Sequence, residues 1–473
     1  MAVRCIVKEP LLVNDLHSGL NATSVARWVQ PRGLHALVEV VHAARAAGAQ
    51  LSLCGGRHAM GGQQFGTDNW LVDLKNHSTF HSFDQERGLI AVDAGVQWPE
   101  LIDGYLSRSL PGGPAWGIRQ KQTGADRLTL GGALAANVHG RGLRLPPIIG
   151  DVEAFTLIDA AGEVRRCSRS ENAELFALAI GGYGLFGLVA DVTLRLMPRT
   201  KVERRVEVIG LDDLVRVPQE RDTREWLFGD FQFSIDERSP DFLRRGVFSA
   251  YVRIPDDQPV PPIQKQLRET DWARLIWLAH TDRAQVFKEY AGYYLSTHGQ
   301  RYWSDLHQLS TYLDNYHSAL DLKLGSTHPG SEMITEIYVP RDALGKFMAA
   351  AAELLRDGRT PVIYGTVRLI ERDTESFLAW AREPWACIVF NLHLEHTPSG
   401  LELGARAFRG LIDVAIRFHG SYYLTYHRWA TREQVETCHP RFNAFLERKR
   451  SLDPTELFTS DWYRHHQTLF SRR

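Results

Sequence analysis

Residues 54–63 read Cys-Gly-Gly-Arg-His-Ala-Met-Gly-Gly-Gln, and no other stretch of the chain limits its possible folds as much. Gly55, Gly56, Gly61 and Gly62 permit tight turns and close ligand approach that side chains would forbid. The apolar run Gln50-Leu51-Ser52-Leu53 precedes the loop, so the loop leaves a strand. Successive backbone N–H groups in such a loop make a concave anion site, suited to a pyrophosphate. His58 sits in the middle, and an imidazole is nucleophilic enough to bond to an electrophilic cofactor. The alternative reading is a glycine turn with an incidental histidine.

Further blocks follow. Val72-Asp73-Leu74 precedes Ala91-Val92-Asp93-Ala94-Gly95-Val96-Gln97-Trp98. Next come Asp126-Arg127-Leu128-Thr129-Leu130-Gly131-Gly132-Ala133 and Asn137-Val138-His139-Gly140-Arg141-Gly142. Gly150-Asp151-Val152-Glu153 leads into the β-like run Phe155 to Ala160, and Gly181 to Val189 closes the region. In this order, residues 50–198 resemble the flavin domain of the vanillyl-alcohol oxidase superfamily, the PCMH-type FAD-binding fold. The first loop is similar to the Gly-His-x-x-x-Gly-Gln version of cytokinin dehydrogenases, at His58, Gly62 and Gln63.

The resemblance implies a bound FAD. Its first contacts would be Gly55, Gly56, Arg57, His58, Ala59, Gly61, Gly62 and Gln63. Later blocks would add Asp126, Thr129, Gly131 and Gly132, then Asn137, His139, Gly140 and Gly142, and finally Gly150 and Val189. His139 is expected to shape the cofactor pocket. In many members the matching histidine is joined to the flavin 8α-methyl, which implies a tether at His58. Those enzymes often carry Ser next, where this chain has Ala59. Leu452-Asp453-Pro454 with Leu457-Phe458 resembles the family's C-terminal return to the flavin domain.

Gly182-Tyr183-Gly184-Leu185-Phe186-Gly187 is formally Gly-x-Gly-x-x-Gly. A dinucleotide fingerprint needs a strand before it and a helix after it. Here Glu171 to Ile180 reads as helix and Val189 to Leu196 alternates like a strand, so the order is reversed.

The chain's 473 residues suffice for two or three domains. Lys+Arg 55 against Asp+Glu 56 gives no electrostatic case for a nucleic-acid or acidic-membrane partner. No apolar run approaches the ~20 residues of a membrane span. Met1 to Asn14 lacks a secretory pattern, and Cys5, Cys54, Cys167, Cys387 and Cys438 are scattered and odd in number. A cytoplasmic protein with reduced thiols is the expectation. Without Cys-x-x-Cys or His-Glu-x-x-His, no protein-bound metal is expected. Oligomeric state is not legible.

The organisation reads as α+β. Residues 1–199 form a PCMH-type, two-subdomain FAD-binding domain with an N-terminal extension. Residues 200–440 form a substrate or cap domain, an antiparallel sheet with helices on one face. Residues 441–473 return to the FAD domain. In the cap, Met333 to Pro340, Pro361 to Ile370 and Cys387 to His396 read as strands. Arg341 to Arg356, Asp373 to Arg382 and Leu401 to His419 read as helices. Residues 283–324 lean helical and aromatic, with Tyr290, Tyr294 and Tyr312 among them.

Residues i, i+2 and i+4 of a strand share a face. Glu336 lies with Tyr338, Arg368 with Tyr364 and Thr366, and His393 with Asn391 and Glu395. Such stripes either meet water or line a site. Arg368 occupies a place similar to a substrate-binding arginine of the alditol oxidase branch, although the acid two residues earlier there is Thr366 here. Glu336 matches that branch's Glu-x-Tyr/Phe-x-Pro pattern; a structural hydrogen bond is its rival role. Tyr422 to Trp429 resembles the late His/Trp segment of sugar-oxidising members, and read as a strand it offers Tyr426 or His427 as the group that takes a hydroxyl proton.

These residues point to an FAD-dependent oxidase or dehydrogenase that takes a hydride from a CH–OH group of a sugar, polyol or lactone-like compound, with oxygen or another acceptor as its second substrate. Two rival readings stand beside it: the same fold acting on a CH–NH or C=C bond, and a flavin-binding module without turnover.

Overall fold

The computed structural model describes residues 11–214, 224–310, 313 and 315–471. Residues 1–10, with Cys5, and Tyr312 lie outside the described residues. The fold is α+β.

Three short strands form a parallel sheet in the order Arg27–Val29, Trp70–Asp73, Leu51–Cys54. Parallel strands need a crossover. The helix Leu34–Ala46 crosses from Arg27–Val29 to Leu51–Cys54, the two outer strands, burying Leu37, Val40, Val41 and Ala44 as a single stripe. The C-terminal segment reaches this sheet's edge: Leu51 N donates to Leu457 O at 2.6 Å, and Thr459 N to Leu51 O at 2.9 Å. Asp453 fixes that segment by accepting from Leu457 N and Phe458 N, both at 2.9 Å, and by pairing with buried Lys449.

A second, antiparallel sheet runs in the order Val164–Ser168, Val152–Ile158, Leu188–Arg195, Leu89–Asp93, Phe80–Asp84. Leu188–Arg195 alternates buried and half-buried at every step, the period of a strand with one face in the core. The helix Ala173–Ala179 precedes it, so the 182–187 glycine run leads from helix to strand as expected. Gly184 there holds a φ of 74°, a left-handed geometry that favours glycine.

The third sheet has eight antiparallel strands: Arg301–Trp303, Lys201–Gly210, Arg245–Ile254, Trp226–Phe233, Val362–Ile370, Trp385–Glu395, Gly330–Pro340 and Ser421–Tyr422. Helices Leu344–Asp357 and Pro398–Arg417 pack on one face. A Cβ on Gly404 would lie 2.5 Å from Leu394 Cδ2, so strand and helix are in contact there. Glu336, Arg368 and Asn391 belong to the opposite face, where helices Glu269–Thr281 and Arg283–Leu295 stand across a cavity. Helices therefore cover both faces, not one.

Two local expectations fail for identifiable reasons. Residues 373–382 form no helix. The Asp373 carboxylate accepts from Glu375 N (2.8 Å) and Ser376 N (3.0 Å), and a side chain that satisfies nearby N–H groups competes with helix. Trp380 is then drawn inward, stacking on Tyr338 at 4.7 Å and donating to Asn137 O at 3.0 Å. In the 422–429 segment only Ser421–Tyr422 pairs as a strand. The next carbonyls are taken by the glycine loop: Gly61 N donates to Thr425 O at 3.1 Å, and Gln63 Nε2 to the same oxygen at 2.8 Å.

Candidate active site

A cavity of about 980 Å³ lies between the glycine loops and the eight-stranded sheet. Gly55, Gly56, Arg57, His58, Ala59 and Gln63 form part of its wall, with Thr129, Gly131, Gly132 and Val189. The glycines are there because the loops touch. A Cβ on Gly55 would sit 2.2 Å from Thr129 Oγ1, and one on Gly56 would sit 2.5 Å from Arg127 O. Thr129 also caps the helix Leu130–Ala136 by accepting from Gly132 N at 3.3 Å. His58 Nδ1 is 2.7 Å from His17 Nε2, and burial pushes the His17 imidazole down to about 4.

The remaining sequence-derived cofactor residues lie outside the wall and shape it. Gly61 carries the bond to Thr425, and a Cβ on Gly62 would press on Asn21 Oδ1 at 2.7 Å. Asp126 pairs with Lys121 Nζ at 2.6 Å and accepts from Ser310 N at 2.9 Å. Asn137 ends its helix with a left-handed φ of 50° and donates to Asp373 Oδ2 at 2.9 Å. Gly140 packs on Lys121, where a Cβ would lie 2.8 Å from the carbonyl oxygen. Gly142 bridges to Phe228, and Gly150 lies in the 3-10 turn Ile148–Asp151.

Glu336 is the hub of the opposite wall. Its Oε2 accepts from His139 Nε2 at 2.8 Å and Tyr338 OH at 3.0 Å, and its Oε1 accepts from Tyr426 OH at 2.8 Å. Burial alone would raise its pKa, but the His139 imidazole and the Arg368 charge hold the carboxyl down at about 2. Tyr426 lines the cavity; burial and the Glu336 charge drive its hydroxyl well above the ordinary tyrosine range, so it stays protonated. Gln122 Nε2 donates to the Tyr426 oxygen at 3.2 Å.

Arg368 is also in the wall and is 6% exposed. Its Nε is buried without a partner, and among the described residues the guanidinium makes neither a hydrogen bond nor an ion pair. Burial opposes its charge, while Tyr364, Glu336 and, more weakly, Asp230 favour it. A buried polar group left unmatched is costly, and such groups concentrate where a ligand completes them.

Three of the expected catalytic residues stand elsewhere. Tyr338 lies behind Glu336. His393 pairs with Glu332 Oε1 at 3.2 Å. His427 lies among aromatic rings, 4.5 Å from Phe408 and 5.5 Å from Trp429, and burial pushes it down to about 3. Sequence reasoning passed over Arg141, although it lies inside a quoted block. Arg141 lines the cavity, donates to His307 O at 2.7 Å and faces Asp230 at 3.5 Å. It also missed Gln122, whose contact with Tyr426 spans 304 positions and leaves no local signal.

The crowded glycine loops on one wall and the cavity beside them fit a flavin. Residues 25–168 match the family described as FAD binding domain. The chain is 22% identical to decaprenylphosphoryl-beta-D-ribose oxidase of Mycolicibacterium smegmatis, over 84% of this chain and 85% of that protein. It is 25% identical to cytokinin dehydrogenase 9 of Oryza sativa, over 69% and 64%. It is 31% identical to the mitochondrial L-galactono-1,4-lactone dehydrogenase of Arabidopsis thaliana, over 30% and 22%. Among the described residues no helix is long and apolar enough to cross a membrane. The matched FAD binding domain and these likenesses make the chain an FAD-dependent oxidoreductase, similar to members of the PCMH-type FAD-binding superfamily.

Proposed function

We propose that this enzyme oxidises a CH–OH group of a small sugar, polyol or lactone-like compound. The observation that carries the reading is Arg368, a buried guanidinium without a hydrogen-bond partner, in one cavity with the Glu336–Tyr426 pair. We read the parallel and the antiparallel sheet of residues 25–198 as the two subdomains of the FAD-binding domain, residues 200–440 as the cap, and 441–473 as the return. The glycine loops and His58, the latter through a covalent tether, would hold FAD, which would supply a hydride acceptor that oxygen or another acceptor reoxidises.

The chain's own residues do the rest. Arginine presents a rigid fork of donors, so Arg368 orients a hydroxyl, carbonyl or carboxylate oxygen of the substrate. Tyr426 oxygen accepts the substrate hydroxyl proton as Tyr426 passes its own proton to Glu336 Oε1. A carboxylate at about 2 is a weak base toward an alcohol. It is base enough once the hydride departs, because a protonated carbonyl is far more acidic still. His139 and Tyr338 keep the carboxylate in place and charged until then.

Relatives named for a ribose and a galactonolactone substrate support a hydroxylated compound, whereas the cytokinin dehydrogenase relative represents the CH–NH rival. The polar wall of Arg368, Glu336, Tyr364 and Tyr426 favours the former. The four described cysteines are free and buried, which supports a reducing, cytoplasmic setting. Product analysis after incubation with matched panels of alcohols and amines tests the assignment. A new aldehyde, ketone or lactone supports it; an imine-derived product would transfer it to the rival reaction.

A further inference from the structure

A second group of titratable side chains touches the same cavity through Glu332, away from the Glu336 relay. Glu332 Oε1 faces two imidazoles, His280 Nε2 at 3.1 Å and His393 Nδ1 at 3.2 Å. The three donor atoms lie within 4.8 Å of one another. Bonds of ~2.0–2.2 Å in tetrahedral geometry put neighbouring donors about 3.3–3.5 Å apart. Small adjustments would bring all three donors onto one ion.

The surroundings hold the ligands as a metal site requires. Glu332 Oε2 accepts from the Tyr316 hydroxyl and lies 2.7 Å from His317 Nε2, which is out of line for a hydrogen bond. One carboxylate oxygen is thus anchored from outside while the other points at the imidazoles, the usual support of a ligating carboxylate. The two rings cross edge to face, with centroids 4.8 Å apart. Gly330 packs on one of them, where a Cβ would lie 2.5 Å from His393 Cε1. The side chains of Glu332 and His280 are 6% and 7% exposed, so bulk water competes little for the site.

We propose that Glu332, His280 and His393 bind one divalent transition-metal ion of the zinc class. Two imidazoles and a carboxylate suit such an ion and leave a fourth position for water or a substrate oxygen. Glu332 lies in the cavity wall, four residues along its strand from Glu336, a distance of about 13 Å at ~3.3 Å per residue. The ion would therefore meet the far end of a bound substrate, away from the proton relay. The sequence conceals the site because its ligands come from one helix and two strands, 52 and 61 positions from Glu332.

The test uses the flavin-loaded enzyme without a histidine tag, stripped with a chelator and freed of it. Titration calorimetry with Zn²⁺ should give one ion per chain, and Co²⁺ should add an absorption band on the long-wavelength side of the flavin. Glu332→Gln and His393→Gln should each weaken binding by more than the ~10–100-fold typical of losing an outer partner, with flavin content unchanged. His280→Gln replaces any variant that loses its flavin. Less than one equivalent bound by the parent, or equal binding by parent and variants, overturns the proposal and leaves a hydrogen-bonded cluster. None of these readouts depends on turnover, so they stand or fall apart from the assigned reaction.

Discussion

Glu336 Oε2 and His139 Nε2 lie 2.8 Å apart, joining residues 197 positions distant in the chain. The contact ties the Asn137–Gly142 block to the sheet that carries the relay. Glu336→Gln keeps the shape and removes the charge. It should lower kcat by about 10²–10⁴, the range for losing a positioned proton acceptor, with flavin content near the parent's. His139→Ala should also destabilise the fold, by ~1.5–3 kcal/mol, because the buried carboxylate loses one of its hydrogen bonds and keeps only those from Tyr338 and Tyr426. Steady-state kinetics and thermal melts of both variants check this; parental kcat in Glu336→Gln would remove the carboxylate from the chemistry.

Arg368→Lys keeps a charge and loses the fork. A charge-assisted hydrogen bond of ~1.5–3 kcal/mol corresponds to roughly ten- to hundredfold in kcat/KM. Arg368→Ala should lose at least as much. Because the wild-type guanidinium already lacks a hydrogen-bond partner, neither change should cost much stability. Unchanged kcat/KM with the true substrate would place substrate recognition elsewhere on the wall.

Glycine substitutions should rank by the space around them. Gly55→Val meets Thr129 at 2.2 Å and Gly140→Val meets the Lys121 carbonyl at 2.8 Å, so both should block flavin loading. Gly132→Ala meets Thr129 Oγ1 at 3.1 Å and Leu128 Cδ1 at an ordinary 3.5 Å, so it should load nearly normally. The flavin-to-protein absorbance ratio reads the ranking directly. Poorly loaded variants should also melt lower, since a ligand bound only by the native state stabilises it.

Acid should weaken the fold through buried neutral histidines. Burial pushes His427, His439 and His466 down from 6.5 to about 3 each. Below pH 6.5 the unfolded chain binds protons that the native state refuses, so this stability is full above 6.5 and lost as pH falls toward 3. Each histidine contributes about 1.4 kcal/mol per pH unit in that window. Denaturant titrations at several pH values should show the slope, and His427→Phe should reduce it; an unchanged slope would mean that the ring is charged in the native state.

The flavin half was legible because glycine leaves a local mark. Gly55 and Gly56 are constrained by loops that nearly touch, and Gly184 by its φ of 74°. The strand period likewise placed Glu336 and Arg368 on the cavity face. What stayed hidden depends on long-range contact. Gln122 reaches Tyr426 across 304 positions, and Arg141 reaches His307 across 166. Strand alternation puts His393 on a face with Asn391, and the late His/Trp resemblance singles out His427, but neither signal says which side chain reaches the cavity. The helix expected at 373–382 failed because Asp373 binds its own neighbours' N–H groups.

The proposed tether at His58 has a simple readout. Acid-precipitated protein should stay yellow, and the peptide containing His58 should carry the flavin mass. His58→Ala should release its flavin on denaturation. Free flavin in the supernatant of the parent would reduce His58 to a contact in the loop.

The most direct test of the central claim is anaerobic reduction of the flavin-loaded enzyme, followed by bleaching of the flavin band. Sugars, polyols or hydroxylactones should bleach the parent, and the same compound should bleach Arg368→Ala roughly ten- to hundredfold more slowly at subsaturating substrate. Bleaching by amines alone, or by no compound while the flavin remains bound, would contradict the assignment of a CH–OH oxidoreductase.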